Sequence, residues 1–301
     1  MIIQSQRRTL HIGHSPDPDD AFMWYPLASF PGGSGPGGKT YTPQVDTRGY
    51  DFVHRLEDIQ SLNERAVKAE LEITAISIHQ YPYVAEHYAL TSCGSSMGDG
   101  YGPMVVCPAD KKMTLDDLKP GVRIAIPGRR TTAHLALQLL LGKDSYDYDV
   151  VMFDRIIPAV TAGEYDAGLI IHEGQLTYAN AGLACVVDLG KWWTQSRGLP
   201  LPLGGNCIRR DLGTQAGPIC AILSDSICYA LEHRDEAIEY ALNYARDMGS
   251  DLADRFVGMY VNQWTLDYGD VGRRAVQQLL AEATDAGITP PCGDIDFVEP
   301  A

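Results

Sequence analysis

Asp166-Ala-Gly-Leu-Ile-Ile-His172-Glu-Gly-Gln-Leu-Thr-Tyr178 changes from apolar to polar within one residue. Residues 168–171 have the length and composition of a short buried strand, and His172-Glu173-Gly174 follows directly. In an open parallel sheet, ligands sit outside the carboxyl ends of the strands. A histidine at such an end can titrate near neutral pH and move protons, which makes His172 a candidate general base. A lone histidine after a buried strand is also commonly structural, so the residues by themselves leave its role open.

Reading outward, strands and helices alternate along most of the chain. Strands are expected over residues 9–13, 50–55, 71–78, 88–93, 103–107, 122–126, 149–153, 168–171 and 184–189. Helices are expected from residue 21, after Asp58, over 83–87, from Thr132 to Leu141, over 157–163 and over 175–179. Beyond Ser224 the pattern is helical to about Ala286. This rhythm means an α/β fold. Stretches near 102–106 and 203–208 read as rigid connections between two lobes. The division expected is 1–103 with 206–301 as one domain and 104–205 as the other, with a site in the cleft between them.

At 301 residues the chain can bury a core large enough for two domains. Its 39 acidic and 24 basic residues leave a formal charge of −15, which argues against attraction to nucleic acid or anionic lipid. The seven cysteines include no CxxC-like pair, so reduced thiols are expected, several of them buried, and no metal site. The N-terminus, MIIQSQRRTLHIGHS, shows no apolar signal region, and no apolar run reaches the roughly 18 residues of a membrane span. A cytoplasmic protein is the expectation.

Two sharper motifs fail on context. Gly33-Ser-Gly-Pro-Gly-Gly38-Lys39-Thr40 satisfies the phosphate-loop pattern G-x-x-x-x-G-K-[ST]. That loop needs a strand before it and a helix after it. Here an apolar helix precedes, and Tyr41-Thr42-Pro43 follows. Gly94-Ser-Ser96-Met-Gly98 matches the nucleophile elbow G-x-S-x-G, but Asp99-Gly-Tyr-Gly102 leads to another strand, so a mobile hinge loop fits better. His14, Asp17, Asp19 and Asp20 lack calcium-loop spacing and read as the acids of a helix start. Thr131-Thr132-Ala133 opens a helix whose free amides could hold a carboxylate, or whose threonine simply caps it. Ser77, at the end of its strand, has the same two readings. Trp192-Trp193 is taken as packing.

Several separate motifs in one order carry a resemblance. Pro127-Gly-Arg-Arg-Thr-Thr-Ala133, Ala167-Gly-Leu-Ile-Ile-His172-Glu173, Val187-Asp-Leu-Gly-Lys-Trp-Trp193 and Gly198-Leu-Pro-Leu-Pro-Leu-Gly204 resemble the 1,4-dihydroxy-6-naphthoate synthase family of the futalosine route to menaquinone. The similarity runs from about His11 to about Leu212 and more weakly beyond. It implies a periplasmic-binding-protein-like type II fold, two α/β lobes around a cleft. It also implies a carbon–carbon lyase that cleaves cyclic dehypoxanthinyl futalosine to 1,4-dihydroxy-6-naphthoate and a three-carbon fragment, without metal or organic cofactor. The position matching His172 is the family's proposed proton acceptor. Positions matching Ala75, Ile76, Ser77, Thr132 and Ala133 line its site for an aromatic carboxylate. Two places depart from the family's pattern. Ser15-Pro-Asp17-Pro-Asp19-Asp20-Ala21 stands where members often have Ser-Pro-Cys-Pro-Asn-Asp-Thr, and Gly174-Gln175 stands where many have Ser-Arg. The competing readings are a chorismate dehydratase-like enzyme of the same fold and a small-molecule binder without chemistry.

Overall fold

In the computed structural model, which describes residues 7–30, 33–244 and 249–301, β1 (Arg8–His14) runs parallel between β2 (Tyr50–Leu56) and β3 (Ile73–Ser77). Helix α1 (Pro18–Trp24) follows β1, and α2 (Ile59–Val67) follows β2. The Asp58 carboxylate accepts the amides of Gln60 and Ser61, satisfying two groups that the helix itself cannot. The buried face of α2 is Leu62, Asn63 and Ala66, whereas Ala69 lies past its end in the left-handed region at φ 52°. β3 is buried at every residue, as a β-branched strand covered on both faces should be.

β4 (Tyr88–Thr91) and β5 (Ser96–Gly98) complete the first passage through this sheet. The chain then builds a second sheet from β6 (Met104–Pro108), β7 (Arg123–Ile126), β8 (Asp147–Val150), β9 (Ala167–Ile170) and β10 (Leu183–Asp188), in the order β10-β6-β9-β7-β8. Helices α3 (Thr132–Leu141), α4 (Ile156–Thr161) and α5 (Leu189–Arg197) follow β7, β8 and β10. The return strand β11 (Leu201–Arg209) leads into α6 (Ala216–Glu232), α7 (Arg234–Ala241), α8 (Ser250–Tyr260), α9 (Gln263–Leu266) and α10 (Gly269–Asp285), and the chain closes with β12 (Phe297–Val298). The first sheet is ordered β12-β4-β11-β3-β1-β2, with β5 attached to β11.

Several expectations are corrected. The Pro/Gly-rich run before Asn206, read as a connection, belongs to β11, which pairs antiparallel with β3, β4 and β5. Pro202 has no amide to give, and the pairing with β5 shifts register between Pro202 and Gly204, so the proline is absorbed at a bulge. β5 lies within the glycine-rich stretch read as a mobile hinge, and no elbow forms at Ser96. The strand expected at 149–153 is β8, at 147–150, an edge strand whose Asp149 pairs with Arg123 at 2.7 Å, so no apolar pattern announces it. The helix expected over 175–179 is two short 3₁₀ turns, Glu173–Leu176 and Tyr178–Ala181. The helix expected over 83–87 is instead a 3₁₀ turn at Ile78–Tyr83, ending around Pro82. The phosphate-loop match holds only a 3₁₀ turn at Pro36–Gly38, and Lys39 pairs with Glu239 at 2.5 Å. Among the described residues all seven cysteines are free thiols, with Cys93, Cys107, Cys207 and Cys220 buried. No described helix is long and apolar enough to cross a membrane.

Four histidines are held inside this fold as neutral rings. His14 Nε2 and His54 Nδ1 lie 2.9 Å apart, and His79 and His134 each set Nδ1 at 3.1 Å from a carbonyl, those of Thr131 and Arg129. Burial pushes His14 down to about 3 and the other three to about 4. Each must take up a proton when the chain unfolds below its ordinary range. Their contribution is therefore present above about pH 6.5 and lost as pH falls toward 4, at about 1.4 kcal/mol per pH unit for each. Burial raises Asp20 to about 7 and, with the neighbouring Asp20 carboxylate, holds Asp19 well above the usual carboxylate range. These two act in the opposite sense, losing stability as pH rises through their folded values. With four groups against two, the melting temperature should fall steadily from pH 6.5 to 4.5 in a calorimetric series. An unchanged melting temperature across that range would contradict the balance.

Candidate active site

A cavity, partly continuous with solvent, opens outside the carboxyl ends of β1 and β3. This is the location expected of ligand sites in such sheets. Its lining joins Ser15, Asp17, Asp19 and Asp20 after β1 to Ala75, Ile76 and Ser77 of β3 and to Thr131, Thr132 and Ala133 at the start of α3. Ile171 after β9, residues 203–206 of β11, and Phe256 and Tyr260 of α8 close it further. Elements of both sheets thus share one cavity, whose described lining includes no lysine, arginine or histidine.

The five binding residues expected from the sequence all line this cavity. Ser77 is buried, and its Oγ accepts from Asn63 Nδ2 at 3.0 Å while Asn63 Oδ1 accepts the Ser77 amide at 2.9 Å. The serine's own proton is left to give. Thr131 caps α3, its Oγ accepting the His134 amide at 3.3 Å. Thr132 Oγ donates to the Leu203 carbonyl and accepts the His79 amide at 3.1 Å, so its hydroxyl holds α3 against β11 and against the turn after β3. The main-chain N–H groups of Thr132 and Ala133 take no partner among the described residues. Two amides at a helix N-terminus facing a cavity form an anion site.

The arginines of the motif turn elsewhere. Arg130 stacks on Tyr83 at 3.4 Å from the ring centre, and Arg129 lies over Tyr148 at 5.9 Å. Trp193 is fully buried, with Nε1 donating to the Pro200 carbonyl at 3.2 Å, so the tryptophan pair packs.

His172 sits one residue beyond the lining residue Ile171, and its ring is turned toward Phe153 and Gly174. Nδ1 accepts the Gly174 amide at 2.9 Å, which makes Nε2 the protonated nitrogen, 3.1 Å from the Phe153 carbonyl. The ring is 7% exposed. Glu173 Oε2 lies 3.7 Å from Nδ1, beyond hydrogen-bonding reach but within ion-pair distance. Gly174 is required by this packing, because a Cβ there would meet His172 Cε1 and Ile157 Cδ1, each at 2.5 Å. Gly174→Ala should therefore displace the imidazole. Its effect is expected mainly in kcat, measured beside a melting curve that remains cooperative.

Asn206 and Tyr260 complete the wall, and Asn63 stands behind it, bonded to Ser77. Asn63 is a buried polar residue on the apolar face of α2, a local signal that could have marked it. Asn206 on β11 and Tyr260 on α8 carry no such signal. The Tyr260 hydroxyl donates to Gln175 Oε1 at 2.8 Å, joining α8 to the turn after His172. Asp19 and Asp20, read as ordinary helix-start acids, line the cavity, and Asp20 Oδ2 accepts the Ser15 amide at 2.7 Å.

Two α/β sheets sharing a cavity in this connectivity define a periplasmic-binding-protein-like fold. The alkanesulfonate-binding protein of Xanthomonas axonopodis, bound to MOPS, shares it with a TM-score of 0.69 at 13% identity, over 95% of this chain and 96% of that one. Within this fold the chain belongs to a menaquinone biosynthesis family, whose sequence profile matches residues 10–285. A relative from Thermus thermophilus named as a 1,4-dihydroxy-6-naphthoate synthase is 39% identical over 285 residues, 94% of this chain and 96% of that protein. One of the same name from Streptomyces coelicolor is 35% identical over 294 residues, 95% and 96% of the two chains. A crystal structure of a protein from Archaeoglobus fulgidus has a TM-score of 0.82 at 42% identity, covering 95% of this chain and 99% of its own. Relatives named as synthases make an enzyme the class to which the chain belongs.

Proposed function

We propose that the chain is a cytoplasmic 1,4-dihydroxy-6-naphthoate synthase, a carbon–carbon lyase acting on cyclic dehypoxanthinyl futalosine in the futalosine route to menaquinone. The observation that carries this reading is the cavity itself. It gathers Ala75, Ile76, Ser77, Thr132 and Ala133 on one wall of a chain whose near-full-length relatives bear that enzyme name. The lobes that close on the substrate are 1–103 with the C-terminal part, and the sheet of β6 to β10. We draw the return crossing at 198–200 rather than 205, because β11 pairs throughout with the first sheet.

The aromatic carboxylate of the substrate binds the free amides of Thr132 and Ala133, with the Ser77 hydroxyl as a further donor. His172 is the base. Its neutral Nδ1 exchanges the Gly174 amide for a substrate proton, and the Nε2–H donated to Phe153 keeps the tautomer correct. The Glu173 carboxylate, 3.7 Å away, faces the imidazolium that results. Taking that proton from a hydroxyl of the sugar-derived part lets the oxygen's electron pair form a carbonyl as the carbon–carbon bond breaks. The three-carbon fragment thus leaves as a carbonyl compound while the bond's electrons pass into the ring part, which takes its proton from the imidazolium or water. Formation of the aromatic naphthoate helps drive the step. Purified protein supplied separately with cyclic dehypoxanthinyl futalosine and with chorismate tests the assignment. Naphthoate formation from the first alone supports it, while dehydration of chorismate would transfer the chain to the sister activity.

A further inference from the structure

The cavity has two polar characters. Around α3 it offers donors, the amides of Thr132 and Ala133 and the Ser77 hydroxyl. Beside α1 and α8, and on β11 where Asn206 pairs with Ala75 of β3, it offers acceptors. Asn206 is 1% exposed and lines the cavity, its Nδ2 donates to the Gly94 carbonyl at 2.8 Å, and its Oδ1 has no hydrogen-bond partner among the described residues. A buried amide oxygen without a partner costs stability unless a ligand supplies a donor. Tyr260, whose proton goes to Gln175, presents only its oxygen lone pairs, and the carboxyls of Asp19 and Asp20 lie on the same side.

Resting on the function proposed above, we infer that Asp19, Asp20 and Asn206 form the subsite that takes the hydroxyl-bearing three-carbon end of the substrate. Hydroxyl groups are what such a wall lacks: each donates to one acceptor and accepts from another. Tyr260 ties this wall, through Gln175, to the turn that follows His172. Burial and the neighbouring carboxylates hold protons on the acid pair near neutrality. The pair can therefore both accept from and donate to an adjacent hydroxyl or carbonyl. The charged or titratable groups brought to it are Asp17 of the same turn and Tyr260 of α8, while Arg234 of α7 is committed to Asp254 at 2.6 Å.

The test compares two ligands on the full-length protein and its Asp19→Ala, Asp19→Asn and Asn206→Ala variants, with melting curves for each. The first ligand is cyclic dehypoxanthinyl futalosine. The second is 2-naphthoate, which has the carboxylate and ring but no hydroxyl-bearing end. Asp19→Ala and Asn206→Ala should raise KM for the first about tenfold or more and leave the Kd for 2-naphthoate within about twofold. Asp19→Asn, which retains a polar group of the same shape, should recover part of the loss. Should Asn206→Ala not fold, the two Asp19 variants decide the matter. An Asp19→Ala protein with unchanged KM, or one that loses both ligands equally, overturns the subsite while wild-type turnover keeps the function standing. Wild-type protein that ignores 2-naphthoate overturns the division of the cavity into two ends, and wild-type protein that neither binds nor cleaves the first ligand overturns both readings.

Discussion

His172→Ala should lower kcat for naphthoate formation by about 10²- to 10⁴-fold, the usual worth of a general base, while leaving the protein folded. The ring makes two main-chain contacts, to the Gly174 amide and the Phe153 carbonyl, and neither belongs to a sheet. Their loss loosens the turn after β9 and uncovers one edge of Phe153, whose ring lies 5.6 Å from the imidazole, while the strand pairing of both sheets is kept. Because the base acts on the proton in flight and not on the bound carboxylate, kcat and kcat/KM should fall together with KM little changed. Steady-state kinetics on cyclic dehypoxanthinyl futalosine, read by naphthoate absorbance, checks this. Near-normal turnover would remove His172 from the mechanism and leave Asp19 and Asp20 as the cavity's nearest groups able to move a proton.

Gly190→Ala should be the most damaging substitution outside the site. A Cβ at Gly190 would lie 1.8 Å from the Tyr101 carbonyl oxygen and 2.2 Å from its carbon, and a Cβ at the opposite glycine, Gly102, would in turn meet the Gly190 backbone at 2.9 Å. These are main-chain atoms, so no rotamer change relieves the overlap. The contact lies where the chain leaves β5 for β6, beside the Leu189 amide donating to the Pro103 carbonyl at 2.9 Å. Relief requires moving that crossing, at a cost of about 3 kcal/mol or more. The expected result is a melting temperature lower by roughly 5–10 °C. It should be accompanied by lost turnover, since the same crossing sets the spacing of the two sheets around the cavity. A wild-type melting curve for Gly190→Ala would show that the crossing is more compliant than its geometry implies.

The parts of the fold legible in the sequence were those where one local rule dominates. β9 is a short apolar run ended by polar residues, β1 alternates the buried Leu10 and Ile12 with His11 and Gly13, Asp58 caps α2, and α3 begins at Thr132 and ends at Leu141 as its periodicity predicts. β8 was misplaced because an edge strand of alternating Asp and Tyr has little apolar pattern to read. β11 was read as a connection because one proline and two glycines in its nine residues outweigh a strand signal when the partner strands lie more than 100 residues away. The candidate site divides in the same way. Ser77 and Thr132 stand at a strand end and a helix start, positions that sequence marks. Asn206 and Tyr260 join them only through tertiary packing. Asp19 and Asp20 were visible but explained too cheaply, since a helix start accounts for acids without revealing that their other side faces a cavity. The orientation of His172 was not legible either, because Gly174 admits the ring into a fold-back that only coordinates reveal.

The most direct test follows the fate of cyclic dehypoxanthinyl futalosine with the purified wild-type chain, measuring substrate lost and naphthoate gained in one time course. Catalytic turnover with one 1,4-dihydroxy-6-naphthoate formed per substrate consumed is the predicted result. Stoichiometric binding with no naphthoate released would contradict it and make the chain a binder on the same fold.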